Sequence, residues 1–180
     1  TCPRVMAGAE MVKAGFTREK DLFAEVGLTY VAPFLTMAEP ALVPGQLFKE
    51  LAEVLPGLTL DETEAAVAEG FATLERFDAS LRQRSRVVLA RCAKENRPCI
   101  LVLARPYHMD AGIGHEIEND LQNRGYPILW AQHLPTDPDL MEWLFGVEIR
   151  AGLMKSAFDI ADVWPSSYSA NTNEIMWGAK

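Results

Sequence analysis

Apolar residues in this chain fall into two kinds of run, helically spaced stretches and short unbroken blocks, and the two kinds alternate. That alternation predicts helices interleaved with buried strands, the grammar of an α/β layer. Leu22, Phe23 and Val26 make one face of a helix predicted over 18–26, with Thr17 as its N-cap and Gly27 as its stop. The block 28–35 reads as a strand leading out through Pro33. Pro44 and Gly45 precede a short amphipathic helix over 46–55, closed by Pro56 and Gly57.

The longest periodic element spans 61–96. Thr59 followed by Glu62 is a capping-box pattern, and Asp61 with Glu64 offers a second frame. Val67, Phe71, Leu74, Leu81, Val88 and Cys92 recur at helical spacing, with Asp78 and Ser85 as lapses. A helix of that length spans about 50 Å at ~1.5 Å per residue. Its arginines, including Arg82, Arg84, Arg86 and Arg91, read as a solvated face.

The stretch 99–130 is a strand–loop–helix–strand unit. The apolar run 99–104 reads as a buried strand that stops at Arg105-Pro106, and a helical pattern leads to Gly125 and a second strand over 126–130. In open α/β sheets ligands bind beyond the carboxyl ends of strands. The loop at that end carries Arg105, Tyr107, His108, Asp110 and His115. Arg105 can grip a carboxylate or phosphate, and Tyr107 can stack or donate a hydrogen bond. His108 is a candidate proton carrier, as a histidine side chain ordinarily is, with Asp110 placed to orient it. Gly112 and Gly114 allow backbone to approach a ligand. The same groups also admit a structural reading, with Arg105 capping the sheet and the Tyr107–His108 pair filling space.

After a Pro-rich loop at 134–138, one or two helices are predicted over 139–157. A polar run over 166–173 ends at a helix start with Asn171 or Thr172 as cap. Its side chains, Ser169, Asn171 and Asn173 among them, could border a ligand or simply build turns. The pattern adds up to a three-layer α/β domain over 1–180 with a mainly parallel sheet and one long helix. Sub-lobes over 1–58 and 97–180 would be joined by the helix 61–96. Both ends fall in mid-pattern, which predicts a domain excised from a longer chain.

Composition narrows the partners. With 49% hydrophobic residues in 180, the chain can bury a real core. The net charge of -8, without a Lys/Arg run, argues against a nucleic-acid surface. No apolar run approaches the roughly 20 residues of a membrane span. Cys2, Cys92 and Cys99 form no CxxC pair, and such a sparse, odd set fits a reducing cytoplasm. Cys92 and Cys99 sit in apolar runs and read as core residues. His108, Asp110 and His115 match no strong metal-ligand spacing. No GxGxxG opens a helix, and no Gly-x-Ser-x-Gly elbow is present.

Three islands carry a family resemblance. They are Cys2-Pro3 near Met-Val-x-Ala-Gly-Phe-Thr-x-Glu-x-Asp-Leu-Phe, the run Ala104-Arg105-Pro106-Tyr107-His108-Met109-Asp110 with His115, and Trp164-Pro165-Ser166-Ser167-Tyr168-Ser169-Ala170-Asn171-Thr172-Asn173 with Trp177 and Lys180. Together they resemble large bacterial acyl-CoA dehydratase activase-related proteins, in the region related to 2-hydroxyglutaryl-CoA dehydratase subunits. The resemblance implies a Rossmann-like domain of an ATP-dependent iron–sulfur dehydratase or reductase. Its partners would be an activase ATPase domain or subunit and other dehydratase-like domains, and its substrate an acyl-CoA or other small molecule. A [4Fe-4S] cluster is implied for the intact protein, with Cys2 as a candidate ligand, and no cluster is expected in this chain alone. Arg105, Tyr107, His108, Asp110, His115, Ser169, Asn171 and Asn173 would border the substrate pocket. The loop departs from the family pattern in having Ala104 before the Arg and 110–114 reading Asp-Ala-Gly-Ile-Gly before His115. The alternative is a non-catalytic Rossmann-like module that binds an acyl-CoA or nucleotide or serves only in assembly.

Overall fold

The computed structural model describes residues 3–161, 163–164 and 169–180. It divides into two compact units, 1–74 and 75–180, with the boundary inside the long helix. Eleven regular elements are described below: helices α1 to α9 and a two-stranded sheet.

The first unit opens with α1 (Pro3–Met6), α2 (Gly8–Thr17) and α3 (Leu22–Glu25). The helix expected over 18–26 is therefore short and begins later. Thr17 ends α2, donating its hydroxyl to the Lys13 carbonyl, and the cap of α3 is Asp21, whose carboxylate accepts from Ala24 N at 3.0 Å. Gly27 does stop the helix, at φ +66, where a side chain would be strained. The segment 28–35 forms no strand. Tyr30 packs locally instead: it stacks on Phe23 at 4.8 Å, Phe23 stacks on Phe16 at 5.3 Å, and the Tyr30 hydroxyl donates to Ala9 O. Such ring pairs add to burial energy without needing ladder hydrogen bonds. A 3-10 turn (Pro40–Leu42) leads into α4 (Val43–Leu51), which starts earlier and ends sooner than the expected 46–55 because Pro44 fits the first helical turn. Gln46 anchors this end, accepting from Thr36 N and donating to Thr36 Oγ1.

Helix α5 (Leu60–Lys94) runs unbroken for 35 residues through Gly70 and Ser85. The capping box forms as read: Thr59 Oγ1 accepts from Glu62 N, and the Glu62 carboxylate accepts from Thr59 N at 3.0 Å. The Thr59 hydroxyl also donates to the Glu62 carboxylate at 2.9 Å, and this bond first, then the one from Thr59 N, holds the Glu62 carboxyl below its usual range. The two apparent lapses lie on the less exposed side. Asp78 is half-buried and Ser85 is buried, whereas Leu74 is 52% exposed.

In the second unit β1 (Ile100–Val102) and β2 (Ile128–Trp130) pair in parallel, Ile100 opposite Ile128 and Val102 opposite Trp130. Parallel strands need a crossover. It is made by a 3-10 turn (Pro106–Met109), α6 (Ala111–Gly114) and α7 (Ile117–Asn123). Gly125, at φ +90, turns the chain back toward β2, and its carbonyl accepts from the Arg97 guanidinium. The two described strands form a parallel sheet in a largely helical surround, an α/β arrangement. A 3-10 turn (Ala131–His133) follows β2, then α8 (Pro138–Arg150) and α9 (Ala170–Ala179). Helix α8 ends at Gly152 (φ +72) rather than running on to 157. The cap of α9 is Ser169, whose Oγ accepts from Thr172 N at 3.3 Å, and not Asn171 or Thr172. Cys92, Leu129, Ala131, Met141 and Met154 are the buried apolar residues of this unit. Arg86 ties α5 to the start of α8, bonding Asp139 at 2.9 Å and Asp137 at 3.0 Å.

Two predictions follow from these contacts. Replacing Thr59 by Ala removes the cap and lowers stability by about 1 kcal/mol, read by urea unfolding; an unchanged midpoint would show that α5 does not depend on its cap. The Arg86 guanidinium holds the Asp139 carboxyl down to about 2. A folded pKa below the unfolded value of about 3.9 stabilises at higher pH and is lost as pH falls through the folded value. Asp139→Asn should therefore melt below the parent at pH ~5, with the gap closing between roughly pH 4 and 2. A gap that stays constant to the acid end would exclude this pair as its source.

Candidate functional site

The loop after β1 lies where its residues were expected to act, at the carboxyl end of a parallel strand. Pro106 presets the 3-10 turn, whose first bond runs from His108 N to Arg105 O at 2.9 Å. His108 Nδ1 also faces that carbonyl, at 3.2 Å. The Tyr107 and His108 rings lie 4.4 Å apart and tilted by 36°. Arg105 and Tyr107 are exposed and His108 is half-buried. Asp110 does not orient His108. Its Oδ1 accepts from Gly112 N at 2.9 Å and Ile113 N at 3.1 Å, capping α6. His115 and Glu116 sit in the left-handed region at φ 56 and 53, which ends α6 and lets α7 start in a new direction. His115 is exposed. Gly114 passes so close to the His108 carbonyl that a Cβ would clash with it.

Beyond the end of β2 the turn Ala131–His133 reaches across to β1, where Gln132 Nε2 donates to Ala104 O at 2.6 Å. Helix α9 packs close by: a Cβ on Gly178 would lie 3.1 Å from that of Ala131 and 3.4 Å from Leu134. Between these elements is a cavity of about 300 Å³ lined by Arg82, Gln132, Thr136, Asn173, Glu174 and Trp177, with an apolar wall that includes Phe158. Trp177 is fixed by its Nε1 bond to Ala157 O and by its ring contact with Phe158 at 5.4 Å. Two acceptors on the lining residues, Gln132 Oε1 and Asn173 Oδ1, are buried with no partner among the described residues. Burial pushes the Glu174 carboxyl up, opposed by Arg82 and assisted by Asp78. Burial pushes His133 down, with Asp78 and Arg82 acting in opposite directions.

Of the expected site residues, Asn173 lines this cavity. Arg105, Tyr107, His108, Asp110 and His115 form the separate loop, and Ser169 is an exposed cap. Cys2 and the side chain of Asn171 lie outside the described residues. Arg82, read from the sequence as solvated, is half-buried. Its spacing with Asp78 and Ser85 along one side of α5 is the signal that places it there. Gln132, Thr136 and Glu174 carry no motif.

Of the two described thiols, Cys92 is buried, and Cys99 beside it is half-buried with its pKa raised, first by burial and then by its neighbour. Iron–sulfur clusters are held by thiolates, so this pair is a poor donor set. Among the described residues no three His, Cys, Asp or Glu side chains gather as a metal-ligand group, and no helix is long and apolar enough to cross a membrane.

The family model described as CoA enzyme activase uncharacterised domain (DUF2229) matches residues 1–134. The chain belongs to that family. The match takes in α1 through β2 and both strand-end turns. The residues that α9 adds to the cavity lie past it. No curated protein and no solved structure matches the chain.

Gly114→Ala should cost about 1–3 kcal/mol, the usual penalty for a side chain forced against fixed atoms. Thermal unfolding checks it, and a neutral result would mean the loop can open away from His108 freely.

Proposed function

We propose that this chain is a dehydratase- or reductase-like domain of an ATP-dependent iron–sulfur enzyme system that acts on CoA thioesters or related small substrates. The single observation carrying this reading is membership of the CoA enzyme activase family over residues 1–134. The polar loop at the carboxyl end of β1 supports it, because Arg105, Tyr107, His108 and His115 stand on the side of a parallel sheet where ligands bind. In this reading the β1–α7–β2 unit is the core of a Rossmann-like three-layer arrangement completed by further strands, and the loop is one wall of a substrate pocket. Asp110 contributes by fixing the loop's backbone. The partners are an activase ATPase and other dehydratase-like domains, and the setting is cytoplasmic.

An iron–sulfur cluster would be held by Cys2 together with thiolates from partner domains, since Cys92 is buried and Cys99 is half-buried beside it. It would supply low-potential electrons. What this chain's own residues supply is binding: Arg105 to neutralise an anionic group, and Tyr107 and His108 to stack on or hydrogen-bond a substrate.

A second reading is a non-catalytic binding or assembly module. It is favoured by the use of Asp110 as a helix cap and of Cys92 as a core residue.

Anaerobic reconstitution of the complete gene product with iron and sulfide separates the two. The first reading expects a brown protein with a broad visible absorption, and Cys2→Ala should lower its iron content. A colourless product, or iron unchanged by the substitution, removes Cys2 from the cluster and favours the module.

A further inference from the structure

The two described cysteines stand at the corner where α5 gives way to β1. Cys92 lies in the last turn of α5 and is 4% exposed, and Cys99, directly before β1, is half-buried. The chain between them turns back on itself. Asn96 takes a left-handed conformation at φ 49, and Arg97 N donates to the Cys92 carbonyl at 2.9 Å. On the strand side Ile100 N donates to Pro127 O at 2.9 Å. Backbone hydrogen bonds thus hold the corner on both sides, and the two thiols lie in hydrogen-bonding contact with each other. Both are free, and neither lines the cavity beyond the strand ends.

We propose that Cys92 and Cys99 are a dithiol–disulfide switch, closed by exchange with a small-molecule disulfide, that staples the end of α5 to the start of β1. Cys99 is the thiol that the oxidant reaches, because Cys92 is covered. The Cys99 thiolate attacks one sulfur of the small disulfide, forms a mixed disulfide and releases the first small thiol. The Cys92 thiol gives its proton to water, attacks the Cys99 sulfur and releases the second small thiol. Two protein thiols and one small disulfide become one protein disulfide and two small thiols, and two electrons pass to the small molecule. The second step joins groups already in contact, which favours it over attack by a free thiol. Bonding brings the sulfurs from contact to about 2.05 Å. Burial raises the Cys99 pKa, so the reduced pair gains no stability from a thiolate. A stabilised thiolate is what makes a dithiol resist oxidation in strongly oxidising proteins, and this pair has none. The same raised pKa makes the first step slow. The pair therefore responds to sustained oxidation rather than to a brief pulse. In a reducing compartment disulfides are usually transient and redox-sensing, which is the role assigned here. The switch is independent of the iron–sulfur reading, and either can fail without the other.

The test incubates the whole chain with oxidised glutathione, alkylates the remaining thiols and maps the tryptic peptides by mass. Lys94 lies between the two cysteines, so cleavage there separates them unless they are bonded. A linked Cys92–Cys99 pair that dithiothreitol reverses is expected. The loop it closes runs from 92 to 99, and it should raise the unfolding temperature by about 5–10 °C. Cys92→Ser should hold glutathione on Cys99, and Cys99→Ser should leave Cys92 unmodified. If a variant does not fold, the peptide map of the parent protein decides. Glutathione left on Cys99 of the folded parent overturns the proposal. So does a bond to Cys2 or between chains in place of the pair, or no link at all. A linked form that melts at or below the reduced one also overturns it.

Discussion

The second unit depends on one constraint, that two parallel strands cannot be joined by a tight turn. Ile100–Val102 and Ile128–Trp130 pair in register, so the chain must leave the carboxyl end of β1 and return to the amino end of β2. The polar loop at the carboxyl end of β1 follows from that detour. Its outward leg is the 105–115 loop, and its return leg is α7 and Gly125. Because both strands run the same way, their carboxyl ends lie together. Gln132 joins them through the Ala104 carbonyl. The loop and the cavity are therefore neighbours by topology, although separate sets of side chains make them.

The local features were legible in the sequence because their causes are local. Thr59 and Glu62 cap each other within one turn, and Gly27 and Gly125 take up backbone angles that other residues avoid. The β1–loop–α7–β2 order was legible for the same reason, since apolar blocks bounded by Pro and Gly punctuate the chain visibly. The strand expected at 28–35 failed because a strand is defined by its partner, and periodicity cannot supply one. Its Tyr30 instead stacks on Phe23 of α3, which in turn stacks on Phe16 of α2. Thr17 was misplaced as a cap because a Thr at a helix end can donate backward as readily as it can cap forward.

The site was half legible. The loop residues were found because chemistry-bearing side chains cluster at one strand end. Their roles were not, because Asp110 serves backbone amides two and three residues on, a contact that reads in sequence as any Asp-x-Gly turn. Arg82 was missed for a different reason. A charge in a long helix is usually solvated, and only the position of Asp78 and Ser85 on the same less exposed side betrays it. On this helix the polar interruptions of the apolar stripe marked the less exposed face, and the apolar Leu74 marked the exposed one.

The cavity also bears on how the family match should be read. Arg82 and Gln132 fall inside the matched residues 1–134, whereas Thr136, Asn173, Glu174 and Trp177 fall outside them. The matched part thus supplies the guanidinium and the turn after β2, and the following part supplies the carboxylate and the aromatic wall. The cavity is built by both parts, because α9 packs against the turn that follows β2.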